Sequence, residues 1–214
     1  MKTAKNKKQQ VYEKLRGEIL SCKLEPGLPI HEANLAEGYG VSKTPVREAI
    51  RQLEREGLIS SVPGRGSIVS FISSGDIHEV FEIREMIECE TAAKAAKLDD
   101  KSELIKRREE LYRLKEKLDQ DAAEEGWDFC DDIHMVIMEI VKNHRLLQMY
   151  RDVLDSISRI RNNYGRKFSC RRLEFIIDEH ILVLDAIIDG DEELAQKRVR
   201  DHLVNGYQYI NSLT

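Results

Sequence analysis

The chain has 214 residues, 41% hydrophobic and 34% charged, a soluble balance that is neither apolar-poor enough for disorder nor disulfide-dense. Its longest apolar runs, such as Ile181 to Leu184, fall far short of the ~20 residues a membrane span needs. The net charge of −5 conceals an asymmetry: residues 1–70 carry 12 Lys+Arg against 8 Asp+Glu, while the remaining 144 carry 22 against 31. That split predicts a basic module that meets a polyanion and an acidic module that does not.

The basic start, Met1 to Lys8, leads into Gln9-Gln10 rather than an apolar signal core, so a cytoplasmic protein is expected. Cys22, Cys89, Cys130 and Cys170 lie far apart with no paired spacing. In a reducing compartment that pattern means thiols or an occasional metal ligand.

Val11, Leu15, Ile19 and Leu20 form the apolar stripe of an opening helix that ends before Pro26-Gly27. A short second helix is predicted from Glu32 to Tyr39, with Leu35 and Ala36 facing inward. Gly40 then supplies a tight turn and Ser42 an N-cap, and Val46, Ile50 and Leu53 repeat at helical spacing toward a core. This leaves Lys43, Thr44, Arg47 and Arg51 on the exposed face. Helix, turn and helix with a basic face on the second helix is the arrangement that enters a DNA major groove. Leu58 to Val62 and Ser67 to Ser70 read as two strands joined by Pro63-Gly64-Arg65-Gly66, which makes a wing. Gly64 and Gly66 let its tip approach a backbone closely, and Arg65 adds charge there.

All four prolines fall within the first 63 residues. After Ser73-Ser74-Gly75 the helical period takes over, and six helices are predicted near 76–97, 101–124, 127–141, 145–164, 171–189 and 191–212. The expected fold is therefore mainly α: a winged helix-turn-helix over 1–70, a linker at 71–75 and an all-α six-helix bundle over 76–214.

His134, His180 and His202 fall on three separate predicted helices, each among apolar neighbours, and such imidazoles converging in a bundle form a candidate divalent metal site. Arg84 also sits among apolar residues, and its guanidinium beside a metal would suit a carboxylate. Arg159 and Arg161 read better as salt-bridge partners. His31, His78 and His144 have no such company and are expected at the surface or at caps.

Gly40-Val41-Ser42-Lys43-Thr44-Pro45-Val46-Arg47-Glu48-Ala49 resembles the recognition segment of GntR-type bacterial transcription regulators, with Lys43 in place of an arginine, and the likeness runs from Leu24 to Val69. The resemblance implies that Ser42, Lys43, Thr44, Arg47 and the wing glycine contact operator DNA. Glu82 to Glu88, Ile133-His134 with Asn143, Glu179-His180 with Leu184 to Ile187, and Arg200 to Leu203 resemble the FCD ligand-binding domain of the FadR branch. There the fourth metal ligand is an aspartate one helical turn before the first histidine. Cys130 occupies that place here, a thiolate that would favour zinc, and Asp131 is the alternative.

The expected function is a ligand-responsive transcription regulator that binds palindromic double-stranded operator DNA as a homodimer, with a small carboxylate effector and a divalent metal in the helical part. The competing reading is a metal-dependent, hydrolase-like helical enzyme with an accessory DNA-binding domain. It lacks a general base placed with a nucleophile and any HExxH motif.

Overall fold

Helical periodicity and turn residues lay out the elements in the order the sequence predicts. The structure is a computed structural model that describes residues 2–64, 66–117, 123–164 and 170–213. Its elements are α1 (Lys2–Leu20), α2 (Glu32–Gly38), α3 (Lys43–Arg55), β1 (Ile59–Val62), β2 (Gly66–Val69), α4 (Ser74–Ala96), α5 (Ser102–Glu116), α6 (Ala123–Ile140), α7 (His144–Tyr164), α8 (Cys170–Asp189) and α9 (Glu192–Asn211). The chain forms two compact units, Met1–Ser73 with Asp155–Asn163, and Ser74–Leu154 with Tyr164–Thr214.

In the first unit α1 and α2 pack on α3. Val11, Leu15 and Ile19 of α1 meet Val46, Ala49, Ile50 and Leu53 of α3 in one buried cluster. Three-to-four-residue spacing puts the apolar residues of each helix on one face. Gly40 has φ +64, a conformation open to glycine at no Cβ cost, and it turns the chain between α2 and α3. β1 and β2 pair antiparallel with Ile59 opposite Val69. Glu54 near the end of α3 accepts from Ser61 Oγ at 2.8 Å and Ser67 Oγ at 3.3 Å, so one carboxylate ties the recognition helix to both wing strands. In the α7 stretch grouped with this unit, Arg159 donates to the Ser70 carbonyl, and Asn162 donates to the Leu20 carbonyl at 2.8 Å.

In the second unit α4 packs along α9, α8 packs against α9, α5 and α6, and α4 also meets α6 and α8. Two predicted boundaries move. α5 ends at Glu116 instead of continuing to 124, because Lys117 leaves helical geometry and closes the turn on the Leu114 carbonyl at 3.1 Å. α6 begins at Ala123 and runs through Gly126, which the sequence reading took as a break. A single helical glycine costs about 1 kcal/mol against alanine, which packing of the rest of a helix can outweigh. No described helix is long and apolar enough to cross a membrane.

Candidate metal centre and nucleic-acid face

Ile133, Val136 and Ile137 pin one face of α6 into the core, and that face carries His134. Ile177, Ile181 and Leu184 do the same for α8 and His180, and Val199 and Leu203 for α9 and His202. The packing of α6, α8 and α9 then brings the three imidazoles together. Each offers a ligand nitrogen, and these nitrogens all lie within 4.8 Å of one another. Ring centroids are 4.9 Å apart for His134 and His180, 5.1 Å for His134 and His202, and 4.5 Å for His180 and His202. A small cleft lies over them, walled by Glu88, Ile133, Ile137, Met138, Val183 and Val199.

The surroundings keep His134 and His180 as neutral bases. Burial pulls His134 down to about 4; Glu88 opposes the shift and Arg84 adds to it. Burial, then the charges of its neighbouring histidines, hold His180 well below the usual range. A neutral imidazole is the form that ligates a metal.

A divalent ion fits this donor set on three grounds. His134 Nε2 and His180 Nε2 are 3.1 Å apart, close to the ~3.3 Å between two nitrogens bound tetrahedrally at about 2.0–2.1 Å. His180 Nδ1 is buried with no hydrogen-bond partner among the described residues, a costly state for a polar atom. The two other rings each rest their Nδ1 on a carboxylate, as metal-bound histidines usually do. His134 Nδ1 donates to Glu88 at 2.8 Å and His202 Nδ1 donates to Glu179 at 2.8 Å.

Cys130 does not join the group. It is 2% exposed but lies outside the set of mutually close ligand atoms. Four residues advance a helix by about 6 Å along its axis, and a shared face is not by itself a shared ligand point. The side chain of Asp131 lies outside the described residues.

Arg84 lies beside the triad. It is 5% exposed and is not among the residues walling the cleft. Its Nε donates to Glu88 at 2.6 Å, and Nη2 approaches His134 Nε2 at 3.3 Å. Residues at i and i+4 on a helix face each other, so the pairing of Arg84 with Glu88 was available in the sequence. Glu88 also accepts from Tyr150 of α7 at 2.5 Å. Burial pushes its carboxyl up, but Arg84 and His134 outweigh that and hold it well below the usual carboxylate range.

Glu88 and Glu179 entered the sequence reading only as landmarks of the FCD resemblance, with no role at the histidines; a further signal was Glu88 four residues after an arginine in an apolar setting.

On the first unit, Ser42, Lys43, Thr44, Arg47 and Arg51 are all exposed along α3 and its N-terminus. Ser42 occupies the N-cap position in extended geometry without a side-chain bond to the helix. Arg47 Nε donates to Glu32 at 2.6 Å while the side chain stays 57% exposed. Gly64 and Gly66 both have φ +75 at the exposed wing tip, and Arg65 between them lies outside the described residues. His31, His78 and His144 are exposed, as expected.

A winged helix with an exposed basic face on the second helix of its helix-turn-helix defines the class of DNA-binding proteins. Residues 7–69 match the model of the bacterial regulatory proteins of the gntR family, and residues 79–205 match the FCD domain. The chain belongs to the GntR family, as a regulator with an FCD domain. The transcriptional repressor RspR of Escherichia coli K12 is 26% identical over 195 residues, covering 91% of this chain and 85% of that protein. An HTH-type transcriptional regulator of Streptomyces ambofaciens is 30% identical over 197 residues, covering 92% and 81%. The solved structure of E. coli McbR shares the fold, with a TM-score of 0.73 at 22% identity over 96% of this chain and 97% of that one. Both of these relatives in sequence are transcriptional regulators, not enzymes.

Proposed function

We propose that the protein is a metal-dependent, ligand-responsive regulator that binds a palindromic operator as a homodimer. The observation that carries this reading is the triad: three imidazoles from three helices with ligand nitrogens within 4.8 Å, on a chain that also carries a DNA reader. His134, His180 and His202 hold one divalent ion, zinc in the first instance, and the protein ligand set is these three without Cys130. The bound ion supplies a positive centre for an anion and links α6, α8 and α9. With no anionic protein ligand among the three, the open position suits a small carboxylate effector, its apolar part against Ile137 and Val183. Arg84 backs this site through Glu88 instead of meeting the effector directly.

On the DNA side, Arg47 reads base edges, Lys43 and Arg51 neutralise phosphates, Ser42 and Thr44 lie at the recognition-helix N-terminus, and Gly64 to Gly66 approach the backbone. One reader covers a half-site, and a two-fold pair covers a palindrome.

Footprinting is expected to show two symmetric half-sites whose centres are about 10 bp or a multiple apart. Arg47→Ala should lose about 1–3 kcal/mol of specific binding with the fold intact, whereas Lys43→Ala weakens all sequences alike. Full operator affinity in folded Arg47→Ala would refute the docking, and a single unsymmetrical footprint would refute the dimer. Elemental analysis should find one ion per chain, lost in His180→Ala. Stoichiometric metal retained in that variant would refute the triad as the site.

A further inference from the structure

We infer that Glu88 and Glu179 are positioning residues that fix the tautomers of His134 and His202, turning the Nε2 lone pair of both rings toward one point. The inference rests on the reading of the triad as a metal site and extends it to residues outside the ligand set. A carboxylate can only accept a hydrogen bond. With Glu88 at 2.8 Å from His134 Nδ1 and Glu179 at 2.8 Å from His202 Nδ1, each Nδ1 carries the proton and, in the neutral ring, each Nε2 keeps its lone pair. For His134 a second contact requires the same assignment. Arg84 Nη2 lies 3.3 Å from its Nε2, and since a guanidinium has no acceptor to offer, Nε2 must be the acceptor.

Both carboxylates are themselves held by other groups, as an orienting group must be. Glu88 Oε1 accepts from Arg84 Nε at 2.6 Å and Tyr150 Oη at 2.5 Å, and Oε2 takes His134 at 2.8 Å with Arg84 Nη2 at 3.5 Å. Glu179 Oε1 accepts from Asn205 Nδ2 at 2.8 Å and Oε2 takes His202. The two rings sit on different helices, α6 and α9, and their carboxylates come from two others, α4 and α8. The pattern thus arises twice, independently, and selects the same nitrogen both times. His180 has no such partner, since its Nδ1 is unpaired among the described residues. Two ligands are therefore set in advance, and the third is left to the ion.

The test uses the full chain stripped of metal, with the imidazole nitrogens followed by long-range proton–nitrogen correlation spectra. His134 and His202 are expected in the Nδ1–H form. Glu179→Ala should shift His202 toward the Nε2–H form, and Glu179→Gln, whose amide oxygen still accepts, should restore Nδ1–H. Zinc affinity measured by chelator competition should fall 10–100-fold in Glu179→Ala and recover in Glu179→Gln. Glu88→Gln should likewise keep His134 in its Nδ1–H form. A carboxylate that merely ties α8 to α9 would cost melting temperature in Glu179→Ala while His202 kept its tautomer and zinc its affinity, and that result overturns the inference. Failure of the wild type to take up zinc would overturn the metal reading alone, because the tautomers are read in the metal-free protein.

Discussion

Glu88→Ala is expected to destabilise the metal-free protein by about 3–5 kcal/mol, the range for removing one partner of a buried ion pair. Arg84 and Glu88 are 5% and 4% exposed, so the truncation leaves a guanidinium in the interior with its charge uncompensated. It also takes the acceptor from Tyr150, itself fully buried, and from His134 Nδ1. Replacing both Arg84 and Glu88 by apolar residues of similar size should cost much less, since no charge is then stranded. Urea unfolding of the two single variants and the double gives the coupling, which should be large because the groups touch. A loss under about 1 kcal/mol in Glu88→Ala, as surface pairs give, would show that the pair is hydrated.

Acidification is expected to weaken the metal-free protein across the window between pH 6.5 and about 4. The unfolded His134 ring takes a proton near 6.5, whereas burial in the folded state, with Glu88 opposing and Arg84 adding, delays it to about 4. Between those values the unfolded chain binds more protons, so stability falls as pH falls, by at most ~1.4 kcal/mol per pH unit for each such group. Above 6.5 the contribution is complete, and below about 4 this ring adds no further slope. His180 is shifted in the same direction and steepens the fall. Glu88 continues it at lower pH: its folded carboxyl lies below the ordinary range, so its contribution holds above that range and is lost beneath it. Urea midpoints at pH 8, 6.5 and 5 measure the slope, and equal stability at 6.5 and 5 would contradict buried neutral rings. Bound metal should steepen the dependence, because the ion competes with protons for the same nitrogens.

The DNA-reading half was largely legible because its signals are local. Gly40 at the turn, Ser42 at the cap and Val46, Ile50 and Leu53 at helical spacing fall within fifteen residues and decide which face of α3 is buried. Exposure of Lys43, Thr44, Arg47 and Arg51 follows from the same period. The meeting of the three histidines was legible as an expectation, because each sits among apolar residues that mark the inward face of its helix.

What the sequence could not supply was the partner of each inward group. The run from Glu82 to Glu90 holds Glu82, Glu85, Glu88 and Glu90, yet Glu88 is 4% exposed while Glu82 and Glu90 lie on the surface. One residue is about 100° of rotation on a helix, and only the crossing of α4 with α6 and α9 selects which carboxylate is turned inward. The same crossings place Glu88 against His134 and bring the Arg84 guanidinium to the same ring. Sequence period alone determined the winged helix, the basic reading face and the inward direction of the histidines, since a helix carries its own face in its spacing. The meeting point of the three histidines and the carboxylates set against them were decided by tertiary packing, because they depend on distances of 3–5 Å between helices that no spacing along one chain segment encodes.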